Sequence, residues 1–269
     1  MDILTHTLSG VAIGIVISGF STRGFPDRLS IIALGGLGGA LPDLDAISLW
    51  SGFDSTIGDF FKLSNSGKEI YFSQFWYSHH GFLHSLMASL IFCLLMCLTF
   101  YVKEAISKRF SIINLWNEIK IRKLILISFA SGFIIHLIED MVTPACVWSG
   151  VNFFWPFKTY IGGSGDIWWW NNYDIFLIII AVILINLIVL SLNQIVKVDL
   201  RKIAIIIFLT GFTLSVYQIK TRGFNFNYIG HTSKYQEYEI KSKEIQKQIL
   251  GEKIFLIMED FDNRLKFNF

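Results

Sequence analysis

The chain has 269 residues, of which 53% are hydrophobic and 16% are charged, and its formal net charge is +2. A soluble domain carries about 25% charged residues. This composition, with a mean hydropathy of +0.52, therefore excludes an ordinary soluble domain and predicts an integral membrane protein. The net charge itself says nothing about nucleic acid, and we expect no nucleic-acid partner. The three cysteines form neither a CxxC pair nor a disulfide framework.

The first two apolar segments are short. Ile3 to Phe20 carries His6 near its start, and it lacks the basic flank and cleavage site of a signal peptide. We therefore expect a retained helix. Leu29 to Leu41 contains four glycines, is shorter than the roughly 20 residues of a full span, and ends in Pro42-Asp43-Leu44-Asp45. We expect a short, broken or re-entrant helix that packs closely through its glycines.

Four longer apolar segments follow, at Gly81 to Val102, Leu124 to Val142, Ile175 to Leu192 and Ile203 to Ile219. The predicted fold is all-α: a polytopic transmembrane helical bundle of about six membrane segments, one of them short or re-entrant. We divide it into a transmembrane domain at 1–219 and a polar C-terminal tail at 220–269. Within the tail, Tyr235 to Leu250 is predicted to form a solvated helix.

The distribution of basic residues predicts the orientation. Segment 103–123 is rich in Lys and Arg and is interpreted as a cytoplasmic loop, whereas segment 143–173 has the single basic residue Lys158 and many aromatic residues. Positively charged loops stay inside and aromatic residues favour the interface. We therefore expect segment 143–173 and the segment that follows Pro42 on the outer side, and the protein in the inner membrane.

Imidazoles and carboxylates then fall at the outer ends of several helices. They are His6, Asp43, Asp45, His79, His80, His84, His136 and Asp140. If the Gly81 segment is helical from its start, His80 and His84 are separated by four residues and share a face, as His136 and Asp140 do. Ionisable residues at this depth mark functional sites, and imidazole with carboxylate is the ligand set of Zn²⁺.

We accordingly predict a site for one to three divalent ions, with Zn²⁺ as the first candidate. The predicted metal ligands are His6, Asp45, His80, His84, His136 and Asp140. Asp43 and Glu139 are predicted to serve as general base or to orient a ligand. His79 is interpreted as a residue at the boundary of the site, and His231 as a solvent-exposed residue of the tail.

Five motifs in this order resemble the prokaryotic membrane-bound, metal-dependent hydrolases, a family that includes LexA-regulated inner-membrane proteins. They are Thr5-His6-Thr7, the run from Ala40 to Asp45, the run from His80 to Ser85, the run from His136 to Pro144, and Trp155-Pro156-Phe157. The resemblance covers about residues 1–160. It implies a metal site more directly than a particular reaction.

The spacing of His136, Asp140 and Pro144 also resembles a segment of zinc-dependent phospholipase C and related single-strand nucleases. This resemblance favours hydrolysis of a phosphoester or ester. The position of the site at the outer helix ends favours a lipid or lipid-linked substrate, with membrane lipids around an outward-facing site. The aromatic loop would form its rim, and Lys158 would attract an anionic headgroup. A metal or proton transporter, and a membrane scaffold or effector with a structural metal, are the alternatives; protein partners cannot be predicted.

Overall fold

A computed structural model describes residues 2–106, 111–168, 172–196, 198–222 and 235–265 of the chain. The helices are α1 (Ile3–Ser18), α2 (Phe25–Ala40), α3 (Asp59–Phe61), α4 (Gly67–Tyr71), α5 (Leu86–Ala105), α6 (Ile112–Met141), α7 (Tyr173–Ile195), α8 (Arg201–Thr221), α9 (Tyr235–Leu250) and α10 (Glu252–Arg264). Three 3-10 turns cover Pro42–Leu49, Phe82–His84 and Cys146–Trp148, and a π-helical turn covers Asp54–Gly58. The predicted all-α fold is confirmed.

Three helices, α6, α7 and α8, contain segments long and apolar enough to cross a bilayer. α2 and the Pro42–Leu49 turn pass the same test as a pair and are bent by 50° at their junction. α1 and the Leu86–Val102 part of α5 are apolar but shorter. In the described ranges these three helices, the bent pair and the two shorter helices make six apolar segments, as expected for the predicted bundle.

Glycines of α2 set its distance from α1 and α6. A Cβ atom on Gly35 would lie 2.4 Å from the Gly10 carbonyl oxygen and 2.8 Å from Ser128 Oγ. A Cβ atom on Gly38 would lie 2.2 Å from the Phe129 carbonyl oxygen. No side chain fits at such distances, so the predicted close packing through glycines is confirmed. It brings one end of α1, α2 and α6 together.

The prediction that a helix begins at Gly81 is wrong, because α5 begins at Leu86. His80 has a left-handed backbone (φ 62°), which cannot continue a right-handed helix. The Phe82–His84 turn follows, and Ser85 is extended. The Leu86 N–H donates to the Phe153 carbonyl at 3.0 Å. The apolar run therefore starts as a loop that is fixed against segment 150–153.

Segment 103–123 is not the continuous loop that was predicted, because α6 already begins at Ile112. Arg122 and Glu118 lie one turn apart on this helix and form an ion pair of 3.1 Å. Such pairs support a helix where a hydrophobic face alone would not. Lys108 and Arg109 lie outside the described residues. The basic residues at 118–123 thus extend a membrane helix beyond its apolar part.

The tail is only partly as predicted. The helix over Tyr235–Leu250 is confirmed, but it is docked and not simply solvated, since Gln246 is buried. Its side-chain carbonyl accepts a hydrogen bond of 2.9 Å from the Tyr173 N–H at the start of α7. α10 was not predicted, and its Phe255 and Met258 pack against Tyr173. The division at residue 219 stays a prediction, and His231 lies outside the described residues.

Candidate metal centre

Imidazoles and carboxylates from four separate segments meet at one end of the bundle. His6 lies on α1, Asp43 and Asp45 on the Pro42–Leu49 turn, His79, His80 and His84 in the loop before α5, and His136, Glu139 and Asp140 on α6. His6, His84 and His136 are fully buried, while the Asp43 side chain keeps 13% of its surface exposed. A buried cluster of ionisable groups is a candidate functional site.

Two imidazoles and two carboxylates surround one point. The Nε2 atoms of His84 and His136 lie 3.2 Å apart. Asp140 Oδ2 is 3.0 Å from the His136 Nε2 and 3.4 Å from the His84 Nε2. Asp43 Oδ1 is 3.7 Å from each. Four ligand atoms about 2.0–2.1 Å from a tetrahedral Zn²⁺ would be roughly 3.4 Å apart, so these side chains fit a divalent ion.

Backbone carbonyls orient two of the rings. The Nδ1–H group of His136 donates to the Gly39 carbonyl at 2.7 Å, and that of His80 donates to the Gly150 carbonyl at 2.9 Å. Because a carbonyl only accepts, we assign the proton to Nδ1 and the lone pair to Nε2. The lone pair of His136 then faces a carboxylate oxygen of Asp140. A cation between the two atoms would relieve their repulsion.

Carboxylates lie behind the other rings. Asp45 contacts the Nδ1 atoms of His79 and His84 at 2.7 Å and 3.1 Å. Glu139 contacts the His6 Nδ1 at 2.6 Å, and the His6 Nε2 is 3.1 Å from Asp140 Oδ1. A carboxylate behind a ligating histidine fixes the ring and raises its basicity. Asp45 and Glu139 are in position to do this.

The carboxylates make the centre electrically negative. Burial opposes protonation of His84, but Asp45, together with Asp140 and Asp43, outweighs it and raises the pKa of His84 well above its usual value. Burial and the same carboxylates raise the pKa of Tyr71 well above its ordinary range. The shift in the pKa of Tyr71 comes first from burial and keeps the phenol neutral. The shift in the pKa of His84 has the sign expected of negatively charged surroundings, which favour a cation.

The loop, and not a helix face, brings His80 and His84 together. Their ring centroids are 4.8 Å apart, although His80 lies in the left-handed turn and His84 ends a 3-10 turn. The Asn152 N–H donates to the His80 carbonyl at 3.0 Å, which holds this turn on the loop after α6. The expected i,i+4 helical pair is therefore wrong in its backbone geometry.

Asp43 and Asp45 face different atoms of the centre. Asp43 faces the Nε2 side of His84 and His136, whereas Asp45 faces the Nδ1 side of His79 and His84. The sequence interpretation assigned Asp45 to the metal and Asp43 to base or orienting work. Asp45 thus lies behind two rings, whereas Asp43 lies on the side where an ion fits, and we develop the roles of both below as a proposal.

His79 belongs to the cluster more fully than its boundary position in the sequence indicates. It makes two further groups whose ligand atoms lie within 4.8 Å of one another, one with His80 and His84 and one with Asp43 and Asp45. These groups could hold a metal ion as well. Whether the centre holds one ion or up to three stays a prediction.

Aromatic residues enclose the histidine loop. Tyr71 stacks on His79 with ring centroids 4.5 Å apart, and Trp148 lies against His80 at 4.8 Å. The Trp148 indole N–H donates to the Tyr71 carbonyl at 2.8 Å. Sequence reasoning missed Tyr71, since no motif marks it. Trp148 was included only as a member of the predicted aromatic rim.

The loop after α6 folds over the centre. Two isolated antiparallel bridges pair Pro144 with Ser164 and Val151 with Ile161. Lys158 lies in the loop that both bridges close and is exposed, as attraction of an anionic headgroup would require. Trp169 and Trp170 of the predicted rim lie outside the described residues. The bridges hold the Gly150 carbonyl that orients His80.

Comparison with known protein families matches residues 1–224 to the family described as YdjM inner membrane protein. The match includes all four segments of the centre and every helix from α1 to α8. No protein of curated function and no solved structure matches the chain. Because the match covers most of the chain, the protein belongs to the YdjM inner membrane protein family, and it is a multi-pass membrane protein.

Proposed function

We propose that the protein is a divalent-metal-dependent hydrolase that cleaves a phosphoester or ester bond in a lipid or lipid-linked substrate. One observation carries the proposal: the Nε2 atoms of His84 and His136 lie within 3.4 Å of one carboxylate oxygen of Asp140. Two imidazoles and a carboxylate are a ligand set of catalytic zinc sites, in which a further position is left for water or substrate.

His84, His136 and Asp140 would bind the ion, and Asp43 would face its fourth coordination position. His80, whose Nε2 is 3.8 Å from Asp140 Oδ2, borders the same space. A bound divalent ion would supply Lewis-acid polarisation of the substrate oxygen and would lower the pKa of water toward about 7. A bound divalent ion would also balance the negative charge of these buried carboxylates.

Asp43 is the best placed of the carboxylates to take a proton from the attacking water. It contacts both Nε2 atoms only at 3.7 Å and, unlike Asp45 and Asp140, keeps part of its side chain exposed. Asp45 and Glu139 act as positioning residues, since each holds the Nδ1 side of a histidine. A base should touch the reacting water, whereas these two touch the rings.

The position of the centre supports a lipid substrate. It lies at the ends of α1 and α6 and at the bend after α2, and we assign this end of the helices to the bilayer surface. An ester near a headgroup could reach it while the hydrocarbon chains stay in the membrane. The distribution of basic residues favours the outer side of the inner membrane, and Lys158 would attract an anionic headgroup.

Metal content is the first test. The full-length protein, purified in detergent and passed over a desalting column, should retain stoichiometric zinc or another divalent metal. His84→Ala and Asp140→Asn should lose it. Asp27→Asn is the matched control and should retain it, because Asp27 is a carboxylate in the first turn of α2 that accepts from Ser21 and pairs with Arg23. Metal that survives both changes at the centre would exclude this site.

Hydrolysis is the second test. The zinc-loaded protein should release phosphate, headgroup or fatty acid from at least one member of a mixed phospholipid and polyprenyl phosphate panel. Asp43→Asn should keep most of the metal and lose turnover by about 10²–10⁴-fold, as expected when a general base is removed. Equal turnover by wild type and Asp43→Asn would contradict the assignment of the base.

A scaffold with a structural metal is the second candidate, and one observation favours it. His6, His84 and His136 are each fully buried, as the ligands of a closed structural site commonly are. Retained metal without turnover on the whole panel would favour this candidate. Metal-dependent turnover would reject it.

A further inference from the structure

An apolar cavity of about 110 Å³ lies between α1, α6, α7 and α8. Its wall includes Ile138, Ile179, Val182, Phe208 and Phe212. The cavity lies beside the metal centre, because Ile138 and Glu139 of its wall neighbour His136 and Asp140 on α6. The wall is of the kind that binds hydrocarbon and not a polar headgroup.

The cavity opens sideways between α6 and α8. Ile138 on α6 and Phe212 and Val216 on α8 line it, and each of them is exposed despite being apolar. Both helices are long and apolar enough to cross the membrane, so this opening faces the hydrocarbon region of the bilayer. A lipid chain can enter there without crossing water.

The polar end of the cavity adjoins the metal centre. Glu139 lines the cavity together with Ser9, and the Ser9 hydroxyl donates to Glu139 Oε1 at 2.5 Å. The other oxygen of Glu139 is 2.6 Å from the His6 Nδ1, and the His6 Nε2 is 3.1 Å from Asp140. Two contacts therefore connect the end of the apolar wall to a predicted metal ligand.

We infer that this cavity binds one acyl chain of a glycerophospholipid whose headgroup region lies at the metal centre. The choice of occupant follows from the lateral opening, the apolar wall and the continuity with the centre through Glu139. The placement of the headgroup rests on the proposed function, whereas chain binding does not. The cavity would thereby select the length and shape of one chain of the substrate.

The probe is a phosphatidylethanolamine that carries a diazirine in one acyl chain. It is mixed into nanodiscs of phosphatidylethanolamine and phosphatidylglycerol that contain the full-length protein. Photolysis followed by peptide mass spectrometry should place adducts on the cavity residues of α6 and α8, including Ile138 and Phe212. Adducts there should exceed those on Leu184 and Ile188, which are exposed residues of α7.

A matched pair of substitutions separates the cavity from the outer surface. Ser215→Trp fills the cavity, whereas Leu214→Trp adds the same ring at the neighbouring position, which is exposed and does not line it. We expect Ser215→Trp to lower the cavity adducts by about tenfold, as for a blocked pocket, and Leu214→Trp to leave them unchanged. Val216→Trp, at the opening, should also lower them and serves if Ser215→Trp does not fold.

Three outcomes would overturn the inference: adducts spread evenly over the exposed faces, an equal loss in Leu214→Trp, or displacement by polyprenyl phosphate but not by unlabelled phospholipid. The metal-free His84→Ala variant distinguishes this inference from the proposed function. Cavity adducts that persist in His84→Ala support chain binding even if no lipid is hydrolysed. Hydrolysis without cavity adducts would retain the proposed function and reject the cavity.

Discussion

His84 contacts both the orienting carboxylate Asp45 and the predicted metal ligand Asp140. Its Nδ1 faces Asp45 at 3.1 Å, and its Nε2 faces Asp140 at 3.4 Å. A neutral imidazole has one proton. If Asp45 accepts that proton, the lone pair is directed to the position where a metal fits. The same carboxylate also contacts His79 at 2.7 Å, so one side chain orients two rings.

Asp45→Asn tests this orienting role. The amide keeps the size of the carboxylate but loses the charge, so it cannot accept from both rings with equal strength. We expect zinc affinity to fall by about 10–100-fold, the usual effect of removing an orienting carboxylate, while His84→Ala loses zinc entirely. Competition with a chelating dye measures both. An unchanged affinity in Asp45→Asn would contradict the role.

At the scale of the element, the position of each ring depends on how closely the helices pack. His136 donates to the Gly39 carbonyl, and a Cβ on Gly39 would lie 2.2 Å from the His6 carbonyl oxygen. α1, α2 and α6 therefore meet at the level where the metal ligands are presented. A change in helix spacing should alter the centre without any change in a ligand.

Gly35→Ala tests this dependence. The new methyl group would lie 2.4 Å from the Gly10 carbonyl oxygen and 2.8 Å from Ser128 Oγ, and overpacking of this kind costs about 1–3 kcal/mol. We expect lower thermal stability and weaker zinc binding together. Gly58→Ala, where the nearest atom would be 3.5 Å away, is the control. Stability equal in the two variants would show that this contact relaxes freely.

The sequence predicted the segments of the centre but not the loops that complete it. Apolar length and the His and Asp spacing were enough to predict the spans and to group His136 with Asp140. The left-handed turn at His80 could not be predicted, because it depends on contact with segment 150–153, about 70 residues later. The stacking of Tyr71 on His79 joins residues that are close in sequence, but it depends on how α4 packs against the histidine loop and no motif marks it. Local patterns carry no information about either contact.

The docking of the tail is also an element-scale property, and Gln246 tests it. Gln246 is buried and accepts from the Tyr173 N–H at 2.9 Å, whereas Gln248 of the same helix is exposed. Gln246→Ala leaves a buried N–H without an acceptor, which costs about 1–3 kcal/mol. We expect faster proteolysis of the tail in Gln246→Ala than in Gln248→Ala. Equal rates would mean that this contact does not hold the tail.

For the whole molecule, the contacts of the tail and the loops determine which groups share a side of the membrane. α9 and α10 pack at the start of α7, and the same end carries the loop after α6, whose Ile167 N–H donates to the Val142 carbonyl at 3.2 Å. The metal centre, Lys158 and the tail should therefore face one compartment. Lys120 lies toward the opposite end of α6, and the 22 residues from Lys120 to Met141 extend about 33 Å at 1.5 Å per residue.

Cysteine labelling in intact cells tests this arrangement. In a background with Cys93, Cys97 and Cys146 replaced by serine, Lys158→Cys and Lys253→Cys should react with an impermeant maleimide, and Lys120→Cys should react only after permeabilisation. All three lysines are exposed. The two sides are assigned by the positive-inside rule, while the pairing of Lys158 with Lys253 follows from the docked tail.

Labelling of Lys120→Cys alone would invert the orientation but keep the pairing. Labelling of only one of Lys158→Cys and Lys253→Cys would instead contradict the docking of the tail. The loop with Lys158 leads into α7, and α10 with Lys253 packs against the start of α7, so the two positions cannot lie on opposite sides of a bilayer.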